Sequence, residues 1–266
     1  MDAPVTGGWW ALPILGFIVG GLVGATGVGA GSLTTPALVL GFGVHPVVAV
    51  GIDLLFATVT KLTGAIAHRK LGSIDARVFG WLGTGSLPAA AITLALLAYL
   101  DFDKLALAQL IKIALGVVLL LTVAMILLRP WYSRRFAAHT STDMGCAGIP
   151  TRPLVVIGCI LGGLVALTSI GAGSLGVVAL AMAMPAMTTR RIIGTDIAHA
   201  IPLTLVCGLG HLAMGHMDVC LLGLLLAGSM PGVCLGSQFT HRLPDVALRW
   251  ALAAALSVAA ILLLRG

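Results

Sequence analysis

The chain has 266 residues, of which 59% are apolar and 9% charged, whereas a soluble globular domain carries about 25% charged residues. That composition excludes a water-soluble core-and-surface protein and points to lipid as the solvent. A net charge of +6 does not indicate nucleic-acid binding, because the Lys and Arg residues fall in short clusters between apolar runs, as in the cytoplasmic loops of membrane proteins.

A helix needs about 20 apolar residues to cross a hydrocarbon core of ~30 Å, and such runs recur along the whole chain. The first starts at Trp9. It lacks the basic flank and small-residue cleavage site of a signal peptide, while Trp9 and Trp10 suit an interfacial aromatic belt. The predicted segments of the first half are 9–28, 33–43, 47–67, 78–100 and 105–128. Those of the second half are 154–171, 174–187, 192–212, 219–240 and 246–264. The expected organisation is a first membrane repeat at 1–128, a hydrophilic cytoplasmic connector at 129–153 with Arg129, Arg134, Arg135 and Arg152, and a second membrane repeat at 154–266. The cysteines, Cys146, Cys159, Cys207, Cys220 and Cys234, have no CxxC or CxxH spacing, and four of them lie in apolar runs. Buried small hydrophobes are expected, rather than metal ligands or disulfides.

The halves are copies of each other. GGLVGATGVGAGSLTTPAL from Gly20 returns at Gly162 as GGLVALTSIGAGSLGVVAL, identical at 12 of 19 positions. Further along, Val50 to Leu54 match Ile193 to Ile197, pairing Asp53 with Asp196. His68 matches His211, Leu71 to Asp75 match Met214 to Asp218, and Gly85-Ser86-Leu87-Pro88 match Gly228-Ser229-Met230-Pro231. An odd number of segments per repeat turns the second copy upside down. With five segments per repeat and an external start, Arg69, Lys70, Arg77, the connector arginines, Arg190, Arg191 and Arg242 all fall on the cytoplasmic side. A parallel four-plus-four arrangement strands Arg190 and Arg191 outside. The expected fold is therefore all-α and polytopic, with two inverted repeats of about five membrane segments each, 8–10 in total. Broken or short helices are expected at the glycine-rich strings.

Inside a bilayer, non-helical backbone survives only where it is buried in protein or lines a cavity. Gly27-Val28-Gly29-Ala30-Gly31 is poor helix, since each glycine costs roughly 0.8 to 1 kcal/mol against alanine, so a break is expected there and in its twin. Ser32 and Ser174 would then cap the short helices that follow, whose free N–H groups and positive dipole attract anions. Thr26, Gly29, Gly31 and Ser32, with Thr168, Gly171, Gly173 and Ser174, form the candidate substrate site. Paired breaks at corresponding positions are the sequence pointer to a transporter's midplane site. The upstream Gly16-x-x-x-Gly20-x-x-x-Gly24 pattern reads instead as close helix packing.

Ionisable residues within spans are costly and face a cavity or a partner. Asp53 and Asp196 either couple a proton or ion, or cap a helix and pair with Arg190 and Arg191. His199, three residues from Asp196 on one helix face, could share a proton with it. Lys61 is a candidate anion-binding charge, with snorkelling as the alternative. Lys112 reads as a snorkelling lysine, and His68, His211 and His216 are placed in solvated loops. Nothing indicates an enzyme or a bound cofactor: there is no GxSxG, HExxH or Walker sequence, and no glutamate at all.

With its apolar span and the basic loop His68-Arg69-Lys70-Leu71-Gly72-Ser73-Ile74-Asp75, the duplicated glycine string resembles the TauE/SafE sulfite exporter family, also called the toluene sulfonate uptake permease family. The resemblance covers nearly the whole chain and both repeats. The second copy departs from the first where Val178 stands for Pro36 and Ser169 for Gly27, which would make the two half-sites unequal. The resemblance implies secondary transport of sulfur-containing anions such as sulfite, thiosulfate, sulfoacetate or other sulfonates across a bacterial inner membrane. The implied partners are a small anion, the lipid bilayer and a coupling proton or sodium ion. Two alternatives are a divalent metal permease using Asp196 and His199, and a non-transporting membrane accessory protein.

Overall fold

The computed structural model describes residues 8–26, 31–70, 72–99, 104–137, 150–239 and 245–265. They form ten helices: α1 (Ala11–Thr26), α2 (Gly31–Phe42), α3 (Pro46–Lys70), α4 (Ala76–Tyr99), α5 (Lys104–Ala137), α6 (Thr151–Thr168), α7 (Ser174–Ala183), α8 (Thr189–Ala213), α9 (Val219–Phe239) and α10 (Asp245–Arg265). Among the described residues there is no strand. Five helices, α4, α5, α6, α8 and α9, carry stretches long and apolar enough to cross a membrane. The expected segments match these helices, except that α5 runs on into the hydrophilic connector as far as Ala137 and α7 stops at Ala183. At about 1.5 Å per residue, the 12 residues of α2 and the 10 of α7 reach only about half of a ~30 Å core.

The packing follows the duplication. α1 lies along α9 as α6 lies along α4, α3 crosses its own counterpart α8, and α5 packs on its counterpart α10. The short helices obey the same exchange: α2 touches α3 and α10, and α7 touches α8 and α5. Adding or subtracting five from each helix number exchanges these pairings with one another, which is the relation expected of a pseudo-two-fold axis between the repeats. The first helix of each repeat is thus held by the other repeat.

Glycines make those exchanged contacts. A Cβ on Gly16 or Gly20 of α1 would run into the main chain of Leu225 or Ser229 on α9, and one on Gly228 or Gly232 of α9 would run into Pro13 or Phe17. On the other side, Gly85 of α4 faces the carbonyl of Val155, while Gly158 and Gly162 of α6 face those of Leu82 and Ser86. Apolar burial gives no net drive between helices in lipid, so contact of this closeness supplies much of the attraction. The packing role expected of Gly16 and Gly20 is therefore met; the surroundings of Gly24 lie outside the description.

The matched aspartates at the α4 and α9 starts act alike. Asp75 Oδ1 accepts N–H groups of Arg77 (3.0 Å) and Val78 (3.2 Å), and Asp218 Oδ1 those of Cys220 (2.9 Å) and Leu221 (3.1 Å), caps typically worth about 1 kcal/mol each. Two expectations fail. Cys207 is buried, but Cys159, Cys220 and Cys234 are exposed, because a small apolar side chain loses nothing by facing lipid; Cys146 lies outside the described residues. His211 is no loop residue. It sits in the last turn of α8, fully buried, with its Nε2 donating to the Ala166 carbonyl at 3.0 Å. His216, in the turn that follows, is held below the usual histidine range by partial burial and by nearby His45. The side chain of His68 lies outside the description.

Replacing Gly20 or Gly162 by Val is expected to lower stability by about 1–3 kcal/mol through overpacking. Gly83→Ala, where an added carbon meets nothing within 4 Å, should be close to neutral. Thermal unfolding of the detergent-solubilised variants checks both.

Candidate functional site

The α6–α7 junction shows how the glycine string works. Helix α6 ends at Thr168, and Ser169 takes the left-handed conformation (φ 57°), its N–H bonded to the Val165 carbonyl at 2.8 Å. Gly171 (φ 135°) and Gly173 (φ 130°) then adopt angles that side-chain-bearing residues rarely reach. Thr168, wholly buried, donates its hydroxyl to the Leu164 carbonyl at 2.7 Å and accepts the Ile170 N–H at 3.3 Å, so it holds the break from within. The equivalent first-repeat residues 27–30, Gly29 among them, and the side chain of Thr26 lie outside the described residues.

The serines are not the caps expected of them. The N-cap of α7 is Gly173, and Ser174 is the first helical residue; α2 likewise begins at Gly31, placing Ser32 inside its first turn. At α7 the boundary falls on Gly173 because the residue there has φ 130°, an angle that side-chain-bearing residues rarely adopt. The Ser174 hydroxyl instead approaches that of Thr122 at 3.5 Å, a long contact for two hydroxyls, and Ser32 is buried.

Around these helix starts the polar residues of α3 and α8 converge. Asp53 and Asp196 are both fully buried within the protein. A methyl group on Gly31 would lie 2.8 Å from Asp53 Oδ2 and 2.6 Å from the Ser169 carbonyl oxygen, and one on Gly176 would collide with Asp196 Oδ1. Each carboxylate therefore abuts the first turn of the short helix in its own repeat. None of their four oxygens makes a hydrogen bond of regular geometry. Even so, the hydroxyls of Ser169, Thr34 and Thr35 surround Asp53, and the Gly173 N–H faces Asp196. Lys61 reaches across the repeats: its Nζ donates to the Ala172 carbonyl within the break at 2.6 Å, and it interacts electrostatically with both carboxylates, more strongly with Asp196. It does not snorkel. Thr35 and Ser169 hydroxyls meet at 2.9 Å, and those of Thr58 and Thr204 at 2.8 Å, tying the repeats together on either side.

Two suggested pairings do not form. Arg191 sits at 3.8 Å from Asp75, at the surface, rather than on Asp53 or Asp196. His199 is buried beside Asp196 in sequence, but its Nε2 bonds the Ser86 hydroxyl on α4 at 2.7 Å, because its helix face turns toward α4. Among the described residues, no three His, Cys, Asp or Glu side chains come together to hold a metal ion. Sequence reasoning missed Thr34, Thr35, Ser86, Ser169, Gly176 and the Ala172 carbonyl as parts of this cluster. A signal existed for some of them: Thr34-Thr35 and Ser169 stand where the two strings differ.

Ten packed helices with two half-length members, broken backbone between the repeats and a buried group of charges at the break define a multi-pass membrane transporter rather than an enzyme. The chain belongs to the family described as Sulfite exporter TauE/SafE, which matches residues 12–263. It is 35% identical over 252 residues to the probable membrane transporter protein YjnA of Bacillus subtilis (strain 168), covering 94% of this chain and 98% of that one. It is 28% identical over 252 residues to the probable membrane transporter protein YdhB of the same organism, covering 93% and 97%. No solved structure matches the chain.

The Ser86–His199 bond has no counterpart in the other half, where Ser229 and Phe56 occupy the equivalent positions. Ser86→Ala should destabilise the protein by about 1–3 kcal/mol by leaving a buried ring nitrogen unpaired. Adding His199→Phe, which copies the Phe56 arrangement, should recover part of the loss in thermal unfolding.

Proposed function

We propose that the protein is a secondary transporter of small sulfur-containing anions, of the class of sulfite, thiosulfate, sulfoacetate and other sulfonates. It works by alternating access around the cluster between its repeats, in a bacterial inner membrane. One observation carries this reading: the Lys61 ammonium and the N-terminal end of the half-length helix α7 meet at the break between Ser169 and Gly173, where they already face the Asp196 carboxylate. An ammonium and an open helix N-terminus are the two features that favour an anion in a low-dielectric site. Gly31 sits too close to the Ser169 carbonyl and Asp53 Oδ2 to carry a side chain, so a larger residue there would disturb this cluster. The family description supports sulfur oxyanions as the first compounds to test. Uptake of labelled sulfite, thiosulfate and a sulfonate into proteoliposomes, with and without imposed proton and sodium gradients, tests the reading; transport of none of them contradicts it.

In this scheme the repeats are inverted, the N-terminus lies outside, and the connector at 129–153 is cytoplasmic, which keeps Arg69, Arg77, Arg190 and Arg191 on one side. A cysteine introduced at Ser141 should resist membrane-impermeant thiol reagents in intact cells and react in inverted vesicles. Labelling in intact cells overturns this orientation.

A unit charge pair near ~4 Å is worth about 4 kcal/mol at an effective dielectric of 20. If desolvation leaves a quarter of that, affinity changes about fivefold. Lys61→Met, which keeps the apolar stem, should therefore weaken anion binding at least about fivefold by calorimetry, measured where the variant is still folded, since removing the ammonium from two buried carboxylates also lowers the unfolding temperature. Unchanged affinity would confine Lys61 to a structural role.

A further inference from the structure

Asp53 and Asp196 are equivalent under the duplication, but their surroundings are not. Asp196 faces donors: the Gly173 N–H and, more strongly than Asp53 does, the Lys61 ammonium. Asp53 faces three hydroxyls, those of Ser169, Thr34 and Thr35, and less strongly the Lys61 ammonium, while its Oδ2 and the Ser169 carbonyl oxygen both lie close against Gly31. The repeat equivalents of Thr34 and Thr35 are Gly176 and Val177, so this oxygen shell exists on one side only. Asp53 is fully buried, and neither of its oxygens makes a regular hydrogen bond. Ser169 is the left-handed C-cap of α6, which puts its carbonyl at the negative end of that helix.

Charge balance sharpens the point. Two buried carboxylates and one ammonium leave one negative charge without compensation, and an arriving anion would add to it. A buried carboxylate is either paired with a positive charge or neutralised by a proton, so a bound cation competes with a proton for this place. Carboxylate, hydroxyl and carbonyl oxygens are hard ligands for a hard cation, and unwound backbone with helix C-terminal carbonyls is a setting in which transporters hold coupling ions. A single carboxylate matches a monovalent ion, and a shell of one carboxylate, three hydroxyls and one carbonyl suits the small sodium ion better than potassium, which gathers more ligands.

We propose that Asp53, the hydroxyls of Thr34, Thr35 and Ser169, and the carbonyl of Ser169 form a sodium-ion site that offsets the charge of the transported anion. The assignment rests on the transporter reading of this cluster and places sodium coupling on Asp53, with Asp196 held by Lys61 and the Gly173 N–H.

The test is thermal unfolding of the full-length protein in detergent, without substrate anion, in NaCl, KCl or choline chloride at equal ionic strength. Saturating Na⁺ should raise the midpoint by about 3 °C or more over choline, with a smaller rise in K⁺. Asp53→Asn and Thr35→Val should abolish the Na⁺ response, whereas Asp75→Asn at the surface should keep it. Identical midpoints in the three salts, a Na⁺ response that survives Asp53→Asn, or stabilisation produced only by lowering the pH in choline would each overturn the proposal. If the variants do not fold, equilibrium dialysis of ²²Na⁺ against the unaltered protein decides, and absence of saturable binding overturns it. Adding sulfite or thiosulfate to each salt separates the two readings. Stabilisation by the anion without any Na⁺ effect leaves anion transport standing and removes the sodium site. A Na⁺ effect with no response to any anion does the reverse.

Discussion

Hydrocarbon cannot solvate a charge or an unbonded peptide group, and the architecture of this protein follows from that constraint. Asp53 and Asp196 are buried and Lys61 is half-buried in apolar helices, and the three are gathered into one group, since each alone would be an isolated charge in a low-dielectric medium. The non-helical stretch from Ser169 to Gly173 is buried between repeats, where Thr168, Lys61 and the α7 backbone take up its polar groups. Among the described residues, charge and broken backbone meet where Lys61 bonds the Ala172 carbonyl.

The pseudo-two-fold packing gives this cluster its mechanical setting. Because α1 lies on α9 and α6 on α4 through glycine contacts, each repeat lends its first helix to the other, while α3 and α8 cross beside the cluster. The contacts nearest the charges are hydroxyl pairs, Thr35 with Ser169 and Thr58 with Thr204. Those bonds are individually modest, about 1 kcal/mol net. Close backbone contact at the periphery and exchangeable hydroxyl bonds at the centre form an arrangement in which the parts around the site can shift while the helix pairs stay packed.

Duplication supplied two half-sites, and divergence has given them different surroundings. Lys61 corresponds to Thr204, Thr34 and Thr35 to Gly176 and Val177, and His199 to Phe56. One carboxylate is thus faced by three hydroxyls and the other by an ammonium and an N–H group, so the two halves of the cluster are chemically unequal.

Much of this was readable beforehand because it depends on periodicity and composition. Long apolar runs separated by basic clusters specify membrane helices, and three glycines in five residues within such a run specify a break, so the ten segments and the half-length helices came from residue types alone, as did the choice of Gly31, Gly173, Asp53, Asp196 and Lys61 as candidates. Helix-start details did not, since the choice of Gly173 over Ser174 as the cap depends on a backbone angle set by tertiary packing. Nor did the partner of a polar side chain: His199 turns to Ser86 and not to Asp196, and Lys61 turns to Ala172 in the other repeat, at a sequence distance of 111 residues. The sequence by itself determined which groups must be hidden from lipid. Only the tertiary structure decided which group each would meet, because the rotation of a helix about its axis is set by close contact with its neighbours, which leaves no periodic trace in the chain.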